Sequence, residues 1–311
     1  MKPFRFYASA SGALAAGRVV EVARKAESIG YTGIVLPDHL VDQPAPIAFL
    51  TAVAAATTRL RVGTFVLNND LRHPAVLGQE LATLDVLSGG RLDIGIGAGW
   101  NRPEYDRIGI AFEPTRRRVE RLAESIAVLK GLFGDGPLTF AGTHYRITSH
   151  DGRPKPVQKP HPPFLVGGGG RRILELAARE AQIVGFAPRI GAPDGVRSGL
   201  WDGTAEKVAW VRAAAGARFG ELDLNTYPSF GRPTVTDDAG GQARALAARL
   251  RERWGVELGT EELLRSPHVF IGSIADLTEK FRSLRSELGI NSIMVGDVDS
   301  LAPVVERLAG T

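Results

Sequence analysis

Four short stretches of this chain carry residue types that could do chemistry, and each follows an apolar run. In LPDH, Asp38 and His39 come after Pro37. An imidazole there can exchange a proton near neutral pH and a carboxylate can hold a heterocycle N–H; the plainer reading is an exposed charged pair in a loop. In GTFVLNNDLRHP, Asn68, Asn69 and Asp70 would crowd a strand end, and Asp70 or His73 could simply cap the helix that begins near Pro74. GIGAGWNRPEY offers Gly97 and Gly99, where backbone can approach a ligand closely, beside the flat ring of Trp100. FLVGGGGRR sets Gly167, Gly168, Gly169 and Gly170 before Arg171 and Arg172. Free N–H groups at a helix start, next to two cations, make a sufficient phosphate site; the alternative is glycines that only relieve close packing.

Several chemistries are disfavoured by what surrounds these stretches. The four glycines are not followed by GK[ST] and lack the spaced GxGxxG pattern, which argues against a nucleoside triphosphate or NAD. The six histidines show no HxH or HExxH spacing, so no metal is expected, and there is no GxSxG elbow for a nucleophilic serine. With no cysteine, disulfides and thiolate catalysis are excluded, and any redox chemistry would need a bound cofactor.

The elements that must position these residues alternate between short β-branched runs and longer amphipathic segments, the pattern of repeated βα units. Strands are expected at 4–8, 32–37, 60–67, 92–97, 164–167, 182–187, 223–228 and 292–296. Helices are expected at 18–30, 74–88, 115–133, 171–181, 204–219, 239–253, 274–288 and 300–309. Eight units in 311 residues point to a (β/α)8 barrel more than to an open doubly wound sheet, and a barrel places reactive groups at the C-terminal ends of its strands. Long gaps after the fourth and seventh strands read as insertions. The first contains LTFAGTHYRI, which alternates like a strand; the second contains YPSFGRPTVTDDAGG, whose prolines and glycines suggest a mobile loop.

Composition fits one domain over 1–311: 44% of residues are hydrophobic and no low-complexity linker interrupts them. The net charge of +4 is mild and scattered, which suits an anionic small ligand better than a nucleic acid. No run of about 18 apolar residues appears, so a membrane partner is not expected and a cytoplasmic location is.

Taken in order, LPDH, GTFVLNNDLRHPAVLGQELATLDVLSGGRLDIGIGAGW, FLVGGGGRRILELAARE, QIVGF and FIGSIADLTEKFRSLRSELGINSIMV resemble the bacterial luciferase-like superfamily. Within it they are most similar to oxidoreductases that use the deazaflavin coenzyme F420, and the similarity covers nearly the whole chain. The resemblance implies a TIM barrel with insertions, a homodimer, and a deazaflavin or flavin at the C-terminal mouth. It implies a bulge in the third strand with a non-prolyl cis peptide from Phe65 to Val66 that supports the ring. It assigns Asp38 to the ring's polar edge, His39 to the substrate side beside the hydride-bearing carbon, and Gly167–Gly170 to the cofactor phosphate. Sugar-phosphate dehydrogenases of this group carry a glutamate just after the fourth-strand glycines, where this chain has Trp100 and Asn101. That departure argues against sugar-phosphate oxidation and admits a reductase acting on an activated double bond or carbonyl. The alternatives are an FMN-dependent monooxygenase of the same superfamily, a non-catalytic flavin-binding protein and a barrel lyase or isomerase.

Overall fold

The computed structural model describes residues 1–10, 18–189 and 194–311. Its first half runs β1 (Arg5–Ser9), α1 (Val19–Ile29), β2 (Gly33–Leu36), α2 (Pro46–Ala56), β3 (Arg61–Thr64), β4 (Leu67–Asn68), α3 (Pro74–Leu87) and β5 (Leu92–Gly97). Next come α4 (Arg102–Ile108), α5 (Thr115–Phe133), β6 (Leu138–Ala141), β7 (Arg146–His150), β8 (Phe164–Gly168), α6 (Arg171–Glu180) and β9 (Ile183–Phe186). The rest is α7 (Trp201–Ala215), β10 (Asp223–Thr226), β11 (Thr234–Val235), α8 (Ala239–Trp254), α9 (Thr260–Arg265), β12 (Ile271–Gly272), α10 (Ile274–Leu288), β13 (Ile290–Met294) and α11 (Ala302–Leu308).

Hydrogen bonding orders the main sheet β3-β2-β1-β13-β10-β9-β8-β5-β4, and β3 also pairs with β5, so the strand set returns on itself. With β3 and β4 counted as one interrupted strand, this is the closed eight-stranded parallel barrel of a (β/α)8 fold. Strands covered on both faces should read as unbroken apolar runs, and GIVL and IVGF are buried at every position.

The chain packs as two units. One comprises Ala10–Arg24 and Ile34–Val166. In it β5 pairs in parallel with β3, β4 and β8, and α3 packs on α5, where a side chain at Gly78 would press on Leu129 and Leu132. The segment after β5 holds α4, α5 and the antiparallel hairpin β6–β7, whose Ile147 shares a small core with Val128 and Leu132. LTFAGTHYRI is therefore a hairpin rather than one strand.

The other unit comprises Met1–Ser9, Lys25–Gly33 and Gly167–Thr311. Here β13 pairs in parallel with β1 and β10, and β10 with β9. The segment after β10 builds its own apolar cluster from Phe230, Leu246, Leu250, Leu263, Val269 and neighbours. The stretch expected to be a mobile loop is tied down within it. Thr234 N–H donates to Phe270 O (2.8 Å), Thr236 N–H donates to Gly272 O (2.9 Å), and Asp238 caps α8 by accepting from Gly241 N–H. Its prolines and glycines shape a short parallel pairing, β11 with β12, instead of freeing the chain.

Two further differences have physical causes. The helix α2, PIAFLTAVAAA, was not anticipated because it carries no charged residue and so shows no polar stripe. The third strand, expected unbroken over 60–67, stops at Thr64 and resumes at Leu67.

One buried cation in this second unit sets a pH dependence. Lys207 is 1% exposed, and its Nζ donates to Ala187 O (2.7 Å) and Ser198 O (2.6 Å). Burial, with Arg189 nearby, lowers its pKa from 10.5 to about 8. Between pH 8 and 10.5 the unfolded chain holds this proton and the folded chain does not, so stability rises with pH across that window; below about 8 both states are protonated and the slope vanishes. Relative to Lys207→Met, the wild type should gain up to about 3 kcal/mol of unfolding free energy between pH 8 and 10.5, measured by urea denaturation. Parallel profiles for the two proteins would contradict this.

Candidate functional site

Where the third strand breaks, five steps from Gly63 to Asn68 span four steps from Asp93 to Gly97, which is a one-residue bulge. The Phe65–Val66 peptide within it is cis, as the resemblance implies. Thr64 Oγ1 donates to Gly95 O (2.7 Å) and accepts from Gly95 N–H (2.9 Å), clasping the peptide where the ladder is interrupted. A Cβ at Gly95 would collide with Thr64 O, and one at Gly97 would lie 2.8 Å from Val66 Cγ2. At Gly99, which has φ +74°, a Cβ would overlap the Tyr105 hydroxyl. The glycines at 97 and 99 were expected to let a ligand approach; they make room for Val66 and Tyr105 instead.

Asp38 and His39 follow β2 and have separate roles. Asp38 is 5% exposed. Its Oδ2 accepts from Asn68 N–H (3.0 Å) and Arg72 Nη1 (2.6 Å), and its Oδ1 accepts from Arg72 Nη2 (3.2 Å). Both carboxylate oxygens thus accept from the protein's own fork and backbone, and Asp38 positions the segment after β4.

His39 is partly exposed, and its Nδ1 donates to the buried carboxylate of Glu104, 3.0 and 3.2 Å from the two oxygens. Because a carboxylate only accepts, this fixes the tautomer and leaves Nε2 without a bond to any described residue. The Trp100 ring, 68% exposed, meets the His39 ring edge-on at 5.6 Å. Glu104 was missed by the sequence reading. It lies on α4, four residues past Trp100, and places a buried carboxylate after the fourth strand.

Behind this pair lies a buried polar chain. Tyr105, fully buried, sets its hydroxyl 2.9 Å from Asn68 Oδ1 and 3.0 Å from Asp70 Oδ2. Burial, and then the Asp70 charge, push its pKa up to about 12, so it acts as a donor. Asn68 Oδ1 also accepts from Asp70 N–H (3.1 Å), which leaves the carboxamide NH2 as the free end of that side chain. Asp70 pairs with Arg121 (3.0 Å) rather than capping α3; His73 is the N-cap, accepting from Ala75 N–H (3.2 Å). Arg118, 5% exposed, donates to Ala98 O, Gly99 O and Glu113 O and so clamps the loop carrying Trp100.

The remaining expected residues belong to the other unit. Three of the four glycines are pressed by neighbours: a Cβ would meet Gly185 O at 2.7 Å from Gly167, Ile173 Cγ2 at 2.6 Å from Gly168, and Ala187 O at 2.8 Å from Gly169. These relieve close packing. Only Gly170 opens to free space, as the N-cap of α6 with no side-chain cap. Arg171, expected as a free cation, is paired along its helix with Glu175 (2.7 Å). Arg189, whose Cγ lies close to the Cβ position of Gly169, has a buried Nε with no hydrogen-bond partner among the described residues.

With this geometry in hand, three comparisons bear on identity. The chain is 35% identical over 184 residues to an F420-dependent glucose-6-phosphate dehydrogenase from Kineococcus radiotolerans, covering 56% of this chain and 53% of that protein. It is 27% identical over 209 residues to an FMNH(2)-dependent dimethylsulfone monooxygenase from Pseudomonas putida, covering 67% and 53%. It thus spans about half the length of both relatives. The solved structure of a coenzyme F420-dependent tetrahydromethanopterin reductase from Methanopyrus kandleri shares the fold, with a TM-score of 0.77 at 19% identity over 98% of each chain. Residues 3–302 match the luciferase-like monooxygenase family, and the chain belongs to it.

Proposed function

We propose that this protein is an oxidoreductase that moves a hydride between coenzyme F420 and a small organic substrate, with His39 exchanging the accompanying proton. The His39–Glu104 pair carries this reading. A buried carboxylate holds one ring nitrogen, and the other is left to meet a reacting oxygen, the arrangement that general acid–base catalysis requires. A non-catalytic binder would have no use for it.

In one unit the Asn68 carboxamide NH2, left unused by the bonds to its Oδ1, suits a ring carbonyl, and Trp100 offers a flat face. In the other, taken by itself, the α6 N-terminus at Gly170, which no side chain caps, suits a phosphate. When bound, the deazaflavin would supply or accept a hydride at its C5 carbon. Glu104 keeps His39 in register, Arg118 holds the Trp100 loop, and Asp38 fixes Asn68 through its backbone. The 35% identity to the F420-dependent relative supports F420, while an FMNH(2)-dependent relative reaches 34% over a shorter span. A reduced-FMN monooxygenase is the second reading, favoured by the latter relative.

A homodimer in the cytoplasm completes the proposal. The uncharged α2 exposes Ala48, Ala52 and Ala55, and the adjoining α3 exposes Val76, Val86 and Leu87, an apolar face suited to a second copy of the chain.

Titration of the purified protein with F420 and, separately, FMN, followed by protein fluorescence, should give saturable micromolar binding of F420; saturation by FMN alone would overturn the coenzyme assignment. His39→Ala should lower kcat about 10²–10⁴-fold while the F420 dissociation constant stays within a few-fold. An unchanged kcat would remove His39 from the mechanism. Light scattering should report a dimer that Ala52→Glu converts to a monomer; a wild-type monomer would refute the assigned face.

A further inference from the structure

We infer that Leu40, Val41 and Trp100 form a specificity wall, and that the substrate is an uncharged alcohol or carbonyl compound with an apolar body. This rests on the reading that His39 meets the reacting oxygen. Three observations carry it.

The loop bearing His39 is closed on itself: Gln43 Nε2 donates to Pro37 O (2.8 Å), and Gln43 N–H donates to Val41 O (2.7 Å). Leu40 and Val41 are therefore held at the surface of a fixed turn, 47% and 55% exposed, directly after His39. Trp100 is 68% exposed although its own loop is clamped by Arg118, and its ring touches His39 edge-on. Trp100 thus stands in water against the imidazole, Leu40 and Val41 stand in water one and two residues further along the same turn, and covering all three is favourable only for an apolar ligand.

The charges around the pair point the same way. Glu104 places a fixed carboxylate against His39. The arginines behind it are all engaged: Arg72 by Asp38, Arg121 by Asp70 and Glu113, and Arg118 by backbone carbonyls. A phosphate or carboxylate at His39 would face Glu104 and find none of these three guanidinium groups available, whereas a hydroxyl or ketone oxygen needs only the one hydrogen bond that Nε2 can make.

The test uses calorimetry on the F420-loaded full chain with three probes: 4-phenyl-2-butanone, 3-phenylpropanoate with a similar apolar body and a charge, and glucose 6-phosphate. The ketone should bind at least about tenfold tighter than either anion, and Trp100→Ala should weaken it by a similar factor while Trp100→Phe stays within about threefold. Leu40→Ser with Val41→Ser provides a second variant, expected to weaken the ketone without strengthening glucose 6-phosphate. Glucose 6-phosphate binding as tightly as the ketone, or ketone affinity indifferent to Trp100→Ala, would overturn the wall. Repeating the ketone titration on cofactor-free and FMN-loaded protein separates the two ideas: failure to bind F420 with the ketone preference intact would refute the coenzyme reading alone.

Discussion

A closed circuit of polar contacts, Asp38 to Asn68 to Tyr105 to Glu104 to His39, is the constraint on which the rest of the site depends. Asp38 takes the Asn68 N–H, Asn68 takes the Tyr105 hydroxyl, Glu104 precedes Tyr105 on α4, and Glu104 takes the His39 Nδ1–H next to Asp38. Two of its links are covalent neighbours, so moving any member moves the imidazole. Most of its members are shielded from water, where each hydrogen bond is stronger and each lost partner leaves an unpaired polar group. The bidentate Arg72 on Asp38 keeps the most exposed risk, an unpaired buried charge, out of the circuit.

The circuit in turn explains the glycines of LDIGIGAG. The bulge after Thr64 pushes Val66 against the strand next to it, which is possible only where that strand has no side chains, at Gly95 and Gly97. Gly99 yields its space to the Tyr105 hydroxyl, which could not otherwise reach Asn68. These residues are part of the packing that aims the functional groups, and no ligand is needed to account for them.

This also marks what was legible in the sequence. Strand ends were readable because a parallel barrel imposes apolar runs and gathers polar residues just past them, so Asp38, His39 and Asn68 stood out. Their roles did not. Whether a carboxylate is spent on a neighbour depends on a side chain 34 positions away, and no local pattern reports that. Glu104 and Tyr105 were hidden in RPEYDRI, a short helix whose charged composition reads as solvated surface although both residues are buried. The four consecutive glycines misled in the opposite direction. Their density suggested one ligand loop, yet three answer separate steric contacts with a strand, a side chain and a carbonyl.

His39 stands between two unlike environments, and the difference has a chemical consequence. Behind it are carboxylates and guanidinium groups that neutralise each other at fixed distances; Trp100 meets the ring edge-on, and Leu40 and Val41 follow it exposed on the same turn. In the proposed reaction Glu104 would hold the ring from behind, while Leu40, Val41 and Trp100 would meet the apolar body of the substrate. The buried network therefore fixes the ring through its Nδ1–H, and in the proposal the exposed side chains would select which molecules bring an oxygen to Nε2.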